Sequence, residues 1–95
     1  MALKKSIQLD NGIIVTYHRI VTINKITNDT TVIEVASYIN EEEREKEKHA
    51  LEKNEPMNVF IYTEYINKAY NEKETIEDIY EYLKTLEKYQ GAEDI

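Results

Sequence analysis

Residues 13–27, Ile-Ile-Val-Thr-Tyr-His-Arg-Ile-Val-Thr-Ile-Asn-Lys-Ile-Thr, constrain this chain more than any other stretch. β-Branched and aromatic side chains lose rotamer freedom in a helix and pack well on a pleated surface. The run holds no Gly or Pro and is bracketed by the turn formers Asp10-Asn11-Gly12 and Asn28-Asp29. It therefore reads as a strand, yet ordinary strands run to about 5–6 residues. One parity is Ile13, Val15, Tyr17, Arg19, Val21, Ile23, and the other is Ile14, Thr16, His18, Ile20, Thr22, Asn24, Ile26. The first is the more apolar, and Arg19 interrupts it. A bulge or bend near His18-Arg19 restores an inward face on both sides of the break.

The flanking segments fit a sheet around this strand. Leu3, Lys5, Ile7 and Leu9 alternate with Lys4, Ser6 and Gln8, the period of a strand. Asn11-Gly12 suits a type I′ hairpin turn, which needs two positive φ angles. Thr31 to Asn40 carries Ile33, Val35 and Ile39 on one parity, with Val32, Glu34, Ala36 and Tyr38 on the other. Short turns make a meander the simplest connection. Pro56 opens a fourth strand over Met57 to Tyr65, where its missing N–H matters least. Tyr65 to Tyr70 reads as a short turn of helix. Thr75 and Asp78 have the spacing of a capping box. Ile76, Ile79, Tyr80, Leu83 and Leu86 then form an apolar stripe, and Gly91 is a natural helix stop. The expected fold is α+β: an antiparallel three- to four-stranded meander with one C-terminal helix packed on it. Residues 1–95 are read as one domain, with a strand-rich half at 1–40, a charged connector at 41–55, a strand at 56–65 and the helix at 75–90.

Charge separates the two halves. The chain has 95 residues with 12 basic and 19 acidic side chains, a net charge of −7. Residues 1–40 carry +1 and residues 41–95 carry −8. That balance disfavours binding to a phosphate backbone, which relies on clustered Lys and Arg. There is no cysteine and there are two glycines. Disulfides, a thiolate nucleophile and a Cys-ligated zinc site are excluded, and a phosphate-cradling Gly loop is nearly so. The connector Glu41–Asn54 has high helix propensity but almost no apolar stripe. It reads as a solvated helix or mobile connector, or else as an arm that orders on a partner. One helix is too little to cover both faces of a sheet whose strands are apolar on both parities. A second copy or another protein is expected to supply the missing cover.

Catalytic signatures are thin. The histidines are His18, on a strand, and His49, in the connector; the serines are Ser6 and Ser37, neither in a G-x-S-x-G turn. Glu77 with Glu81, or Asp78 with Glu81, reads as the solvated face of a helix rather than as a metal or proton site. No catalytic residue, cofactor site or metal-ligand set is assigned. Tyrosine is the unusual component, with eight Tyr against one Phe. Tyr80 belongs to the helix stripe. Tyr62, Tyr65 and Tyr70 cluster near the strand-to-helix junction, and Tyr82 and Tyr89 flank the stripe half exposed. Tyr packs through its ring and keeps a polar tip, which suits both a small wet core and an interface. These five are the candidate partner surface.

Three stretches carry a resemblance. They are Tyr17-His18-Arg19-Ile20, then Val35-Ala36-Ser37-Tyr38 leading to Arg44, and Tyr80-Glu81-Tyr82-Leu83-Lys84-Thr85-Leu86-Glu87 with Gly91-Ala92-Glu93-Asp94. In these the chain resembles small proteins encoded in bacteriophages and prophages near their tail and baseplate genes. Its Lys- and Glu-rich composition is similar to versions from low-GC Gram-positive hosts. The resemblance implies a non-enzymatic structural or assembly role through protein contacts, with a phage protein or a second copy as partner. It carries over no catalytic residue. The alternative is an acidic inhibitor or DNA-mimic decoy of a host protein, steered by its one-sign surface. No secretory leader or membrane span is read, so host cytoplasm or the virion is the expected location.

Overall fold

The computed structural model describes residues 1–53 and 62–95. The chain order is β1 (Leu3–Gln8), β2 (Ile14–Ile26), β3 (Thr30–Tyr38), α1 (Glu41–Glu52), β4 (Tyr62–Ala69), α2 (Ile76–Leu83), a 3-10 turn (Glu87–Tyr89) and β5 (Glu93–Asp94). Every strand pairing is antiparallel, and the sheet order is β4-β3-β2-β1-β5. The α+β class and the β1-β2-β3 meander agree with the sequence reading. The described sheet has five strands rather than three or four, and two helices rather than one. No helix among the described residues is long and apolar enough to cross a membrane.

The long second strand solves its parity conflict with a bulge. The β2–β3 register runs Ile20↔Val35 and then Thr22↔Glu34, so Val21 is the extra residue. Before it, His18 and Ile20 share one face with Ser37 and Val35; after it, Ile23 joins Ile33 on that face. The bulge sits a little later than the His18-Arg19 position expected. Arg19 needs no correction, because it lies on the other face beside Tyr38, whose hydroxyl it approaches.

The turns also differ in detail. Leu9 and Ile13 bracket a three-residue loop, with the Gly12 amide donating to the Leu9 carbonyl at 2.9 Å. Only Gly12, at φ 88°, is left-handed there. This is a turn followed by a left-handed glycine, not the two-residue turn that Asn-Gly suggests. Between β2 and β3, Asn28 takes φ 59°, a region that Asn tolerates better than most residues.

One sheet face holds the main core. Leu3, Ile20, Ile33 and Val35 pack against Ile79, Tyr80 and Leu83 of α2 and against Tyr89. The capping box forms as expected: the Thr75 hydroxyl accepts from the Asp78 amide at 3.2 Å, and the Asp78 carboxylate accepts from the Thr75 amide at 3.0 Å. The helix ends at Leu83, not near Gln90. Thr85 donates its hydroxyl to the Tyr82 carbonyl at 2.6 Å, and the Leu86 amide donates to the Leu83 carbonyl at 3.0 Å. These i−3 bonds tighten and end the helix. Gly91, at φ 83°, then turns the chain into β5, which pairs with β1.

The other face carries a smaller cluster of Ala2, Tyr17, Ala36 and Tyr38. Here the connector is the solvated helix that the sequence offered, with two of its residues drawn inward. The charged segment forms α1, capped by Asn40, whose side chain accepts from the Glu43 amide at 3.0 Å. Glu47 and Ala50 are buried, and the Tyr38 hydroxyl donates to Glu47 at 2.8 Å. Arg44 pairs with the same carboxylate. The chain thus covers part of its second face with its own least apolar segment.

The strand expected at 56–65 is also revised. Its first part lies outside the described residues. The described part continues as β4 through Ala69, where a turn of helix was expected at Tyr65 to Tyr70. The ladder Ser37↔Tyr62 to Thr30↔Ala69 runs along β3 from Thr30 to Ser37. Pairing along a neighbouring strand overrides the weak local preference of Glu64, Asn67 and Lys68.

Candidate functional site

The described β4 forms one edge of the sheet, with β3 on one side and no strand on the other among the described residues. Register divides its side chains between two faces. Tyr62, Glu64, Ile66 and Lys68 lie opposite Ser37, Val35, Ile33 and Thr31, on the face that α2 covers. Thr63, Tyr65 and Asn67 lie on the face of Ala36, Glu34 and Val32.

Four of the five candidate tyrosines lie on or beside this edge near the surface. Tyr62 is 37% exposed, and the Lys88 ammonium sits 4.7 Å from its ring centre. Tyr65 is 69% exposed and bonds to Glu34 across the ladder, which raises its hydroxyl pKa. Tyr82 is half-buried, with Lys68 at 5.0 Å from its ring centre. Tyr70 follows directly after β4 and is half-buried. Such cation–ring contacts hold a lysine stem flat while its charge stays near water.

Tyr89 does not join this surface. It is fully buried, and its ring meets His18 edge-on at 5.4 Å. Its hydroxyl donates to Glu64 at 2.5 Å. Burial, and then the Glu64 carboxylate, hold its pKa far above the ordinary tyrosine value. The early end of α2 explains the difference: a continuous helix would carry residue 89 along its surface, whereas the 3-10 turn drops it into the core. Glu64 also pairs with Lys88 at 3.1 Å, and Lys68 pairs with Glu74 at 2.7 Å. The edge therefore carries charges of both signs, each already held in place.

A second constellation was not visible in the sequence. His18 Nδ1 lies 2.8 Å from Ser37 Oγ, and its Nε2 lies 2.8 Å from the Lys5 carbonyl oxygen. A carbonyl only accepts, so Nε2 carries the proton and Nδ1 accepts from the serine hydroxyl. A serine donating to an imidazole is the first half of a nucleophile–base pair. Here both side chains are sealed, at 0% and 1% exposure, and the second nitrogen meets a backbone carbonyl rather than a carboxylate. Burial lowers the pKa of His18, keeping it neutral. The arrangement ties β1, β2 and β3 together. The signal was available only as two facing positions, His18↔Ser37, on strands whose register the sequence leaves open.

An open groove of about 570 Å³ runs between β2 and the start of α2, lined by Val21, Ile23, Lys25, Thr75, Ile76 and Ile79 among others. No three His, Asp or Glu side chains among the described residues converge as a metal site would require. Glu77, Asp78 and Glu81 are exposed on α2, and the Asp78 carboxylate serves the helix cap. No family model, curated protein or solved structure matches this chain.

Proposed function

We propose that this chain is a non-enzymatic structural or assembly component of a phage or prophage tail or baseplate, working through protein contacts along β4. The observation that carries the contact surface is the β4 edge itself. It offers a ladder of backbone donors and acceptors across Tyr62–Ala69 with no described neighbour, beside the exposed Tyr62 and Tyr65. Unpaired edges recruit further strands, and a peptide added there gains main-chain hydrogen bonds together with side-chain contacts. The tail setting rests on the resemblance in residues 17–20, 35–38 leading to Arg44, 80–87 and 91–94.

The decoy reading draws less support from the side chains. On α1 the lysines sit among the glutamates, with Lys46 3.0 Å from Glu43 and Lys48 3.2 Å from Glu45. A surface imitating a phosphate backbone needs its negative charge unneutralised.

Mass spectrometry of particles purified from a strain encoding this chain tests the assembly role, together with a deletion of the coding sequence. The expected result is the protein in particles or in tail intermediates, with fewer complete tails in the deletion. Absence from both, with normal tails in the deletion, overturns the reading.

A further inference from the structure

We propose that the partner strand on the β4 edge is β4 of a second copy of this chain, paired antiparallel about a two-fold axis at Ile66. This rests on the reading of β4 as the contact edge and adds the identity of its occupant.

The argument is one of register. In a two-fold antiparallel pairing, each residue faces the residue equally far on the other side of the axis. With Ile66 at the axis, Glu64 faces Lys68 of the second copy, and Lys68 faces its Glu64. Ile66 meets Ile66 between them, and Tyr62 comes opposite Tyr70 at both ends. On the reverse face Tyr65 lies against Asn67, and Thr63 against Ala69. Shifting the axis to Tyr65 sets Lys68 against Tyr62, and shifting it to Asn67 sets Lys68 against Ile66. The Ile66 axis thus forms two opposite-charge pairs and an apolar pair, and opposes no like charges. Cross-strand pairs of these kinds select register.

The edge is prepared for this pairing. Glu64 is held by Tyr89 and Lys88, and Lys68 by Glu74 and Tyr82, so the two charges are already positioned. Neither is saturated, because a carboxylate accepts about four hydrogen bonds and an ammonium donates three. Their side chains keep 22% and 16% exposure, open to a neighbour. Ile66 is only partly buried against the core. Each copy carries −7, so general electrostatics opposes association and local complementarity must provide the match. The product is one continuous sheet, with the α2 layers of both copies on the same face. The other described outer strand, β5, spans only Glu93–Asp94 and offers far less ladder.

The absence of native cysteine makes the test unambiguous. Directly opposed residues in an antiparallel pair have Cα atoms about 4.5–5.5 Å apart, inside the range a disulfide spans. Ile66→Cys is oxidised mildly and run on a non-reducing gel beside Asn67→Cys, whose two copies do not face each other. Covalent dimer is expected at least several-fold more in Ile66→Cys, while the wild-type mass in light scattering rises from 11.2 kDa toward twice that with concentration. The double variant Thr63→Cys/Ala69→Cys, on the reverse face, should also cross-link, and it keeps the test valid if Ile66→Cys does not fold. Equal cross-linking at all positions, or a wild-type mass fixed at that of a monomer up to about 100 µM, a generous excess for a specific self-association of micromolar strength, overturns the pairing. A monomer that still enters particles refutes self-pairing alone, and a dimer absent from particles and tail intermediates, with normal tails in the deletion, refutes the tail role alone.

Discussion

Acidification should destabilise this domain through His18. His18 has no measurable exposure, its Nε2 proton is committed to the Lys5 carbonyl, and its Nδ1 lone pair is committed to the Ser37 hydroxyl. Protonating Nδ1 in the folded state would bury a charge and force the serine to reverse its bond. The folded-state pKa therefore lies below the unfolded value of 6.5. The sign follows from linkage: below 6.5 the unfolded chain binds a proton that the folded chain refuses, so stability falls as pH falls. Stability is complete above 6.5 and declines until the lowered folded pKa is reached. One proton gives a slope of at most about 1.4 kcal/mol per pH unit. Between pH 7.5 and 5.5 the loss is then up to about 1.4 kcal/mol, equivalent to a fall in Tm of roughly 5–10 °C for a domain of this size. Urea titrations at half-unit pH steps measure it. His18→Gln should flatten the profile in this window, and His49→Gln, at an exposed site, should retain it. A wild-type profile flat from pH 7.5 to 5.5, or the same slope in His18→Gln, refutes the reasoning.

Three other substitutions test the packing. Leu83→Ala empties a fully buried site where α2 meets the sheet and should cost about 2–5 kcal/mol by chemical denaturation. Thr75→Ala removes the hydroxyl half of the capping box and should cost about 1 kcal/mol, while Thr75→Ser should restore most of it. Tyr89→Phe keeps the ring but leaves Glu64 without its buried donor. A loss of about 1–2 kcal/mol is expected, and removing the carboxylate as well, in Tyr89→Phe/Glu64→Gln, should cost less than the two single changes together.

Local chemistry explains which parts were legible. The strand content of residues 3–38 followed from β-branching and alternation, and the Thr75-x-x-Asp78 cap marked the start of α2 to the residue. The misreadings arose where a distant contact outweighed a local preference. Glu64, Asn67 and Lys68 are poor strand formers, but β3 pairs with β4 from Thr30 to Ser37. Residues 84–90 have helical spacing, yet the Thr85 hydroxyl and the burial of Tyr89 break the helix. Of the candidate surface, Tyr62 and Tyr65 lie exposed, Tyr70 and Tyr82 are half-buried, and Tyr89 is core.

The sequence by itself determined the strand-forming half, the turn positions, the helix start and the lack of cysteine chemistry, because each depends on side chains within a few residues of one another. Tertiary structure alone decided that Glu47 of the charged segment would be drawn inward by Tyr38 and Arg44, that His18 would meet Ser37, and that Glu64 and Lys68 would lie in line on the outermost described strand. Those outcomes depend on register and on which strand is outermost. A shift of one residue reverses every side chain on a strand, and nothing short of the assembled sheet fixes that choice.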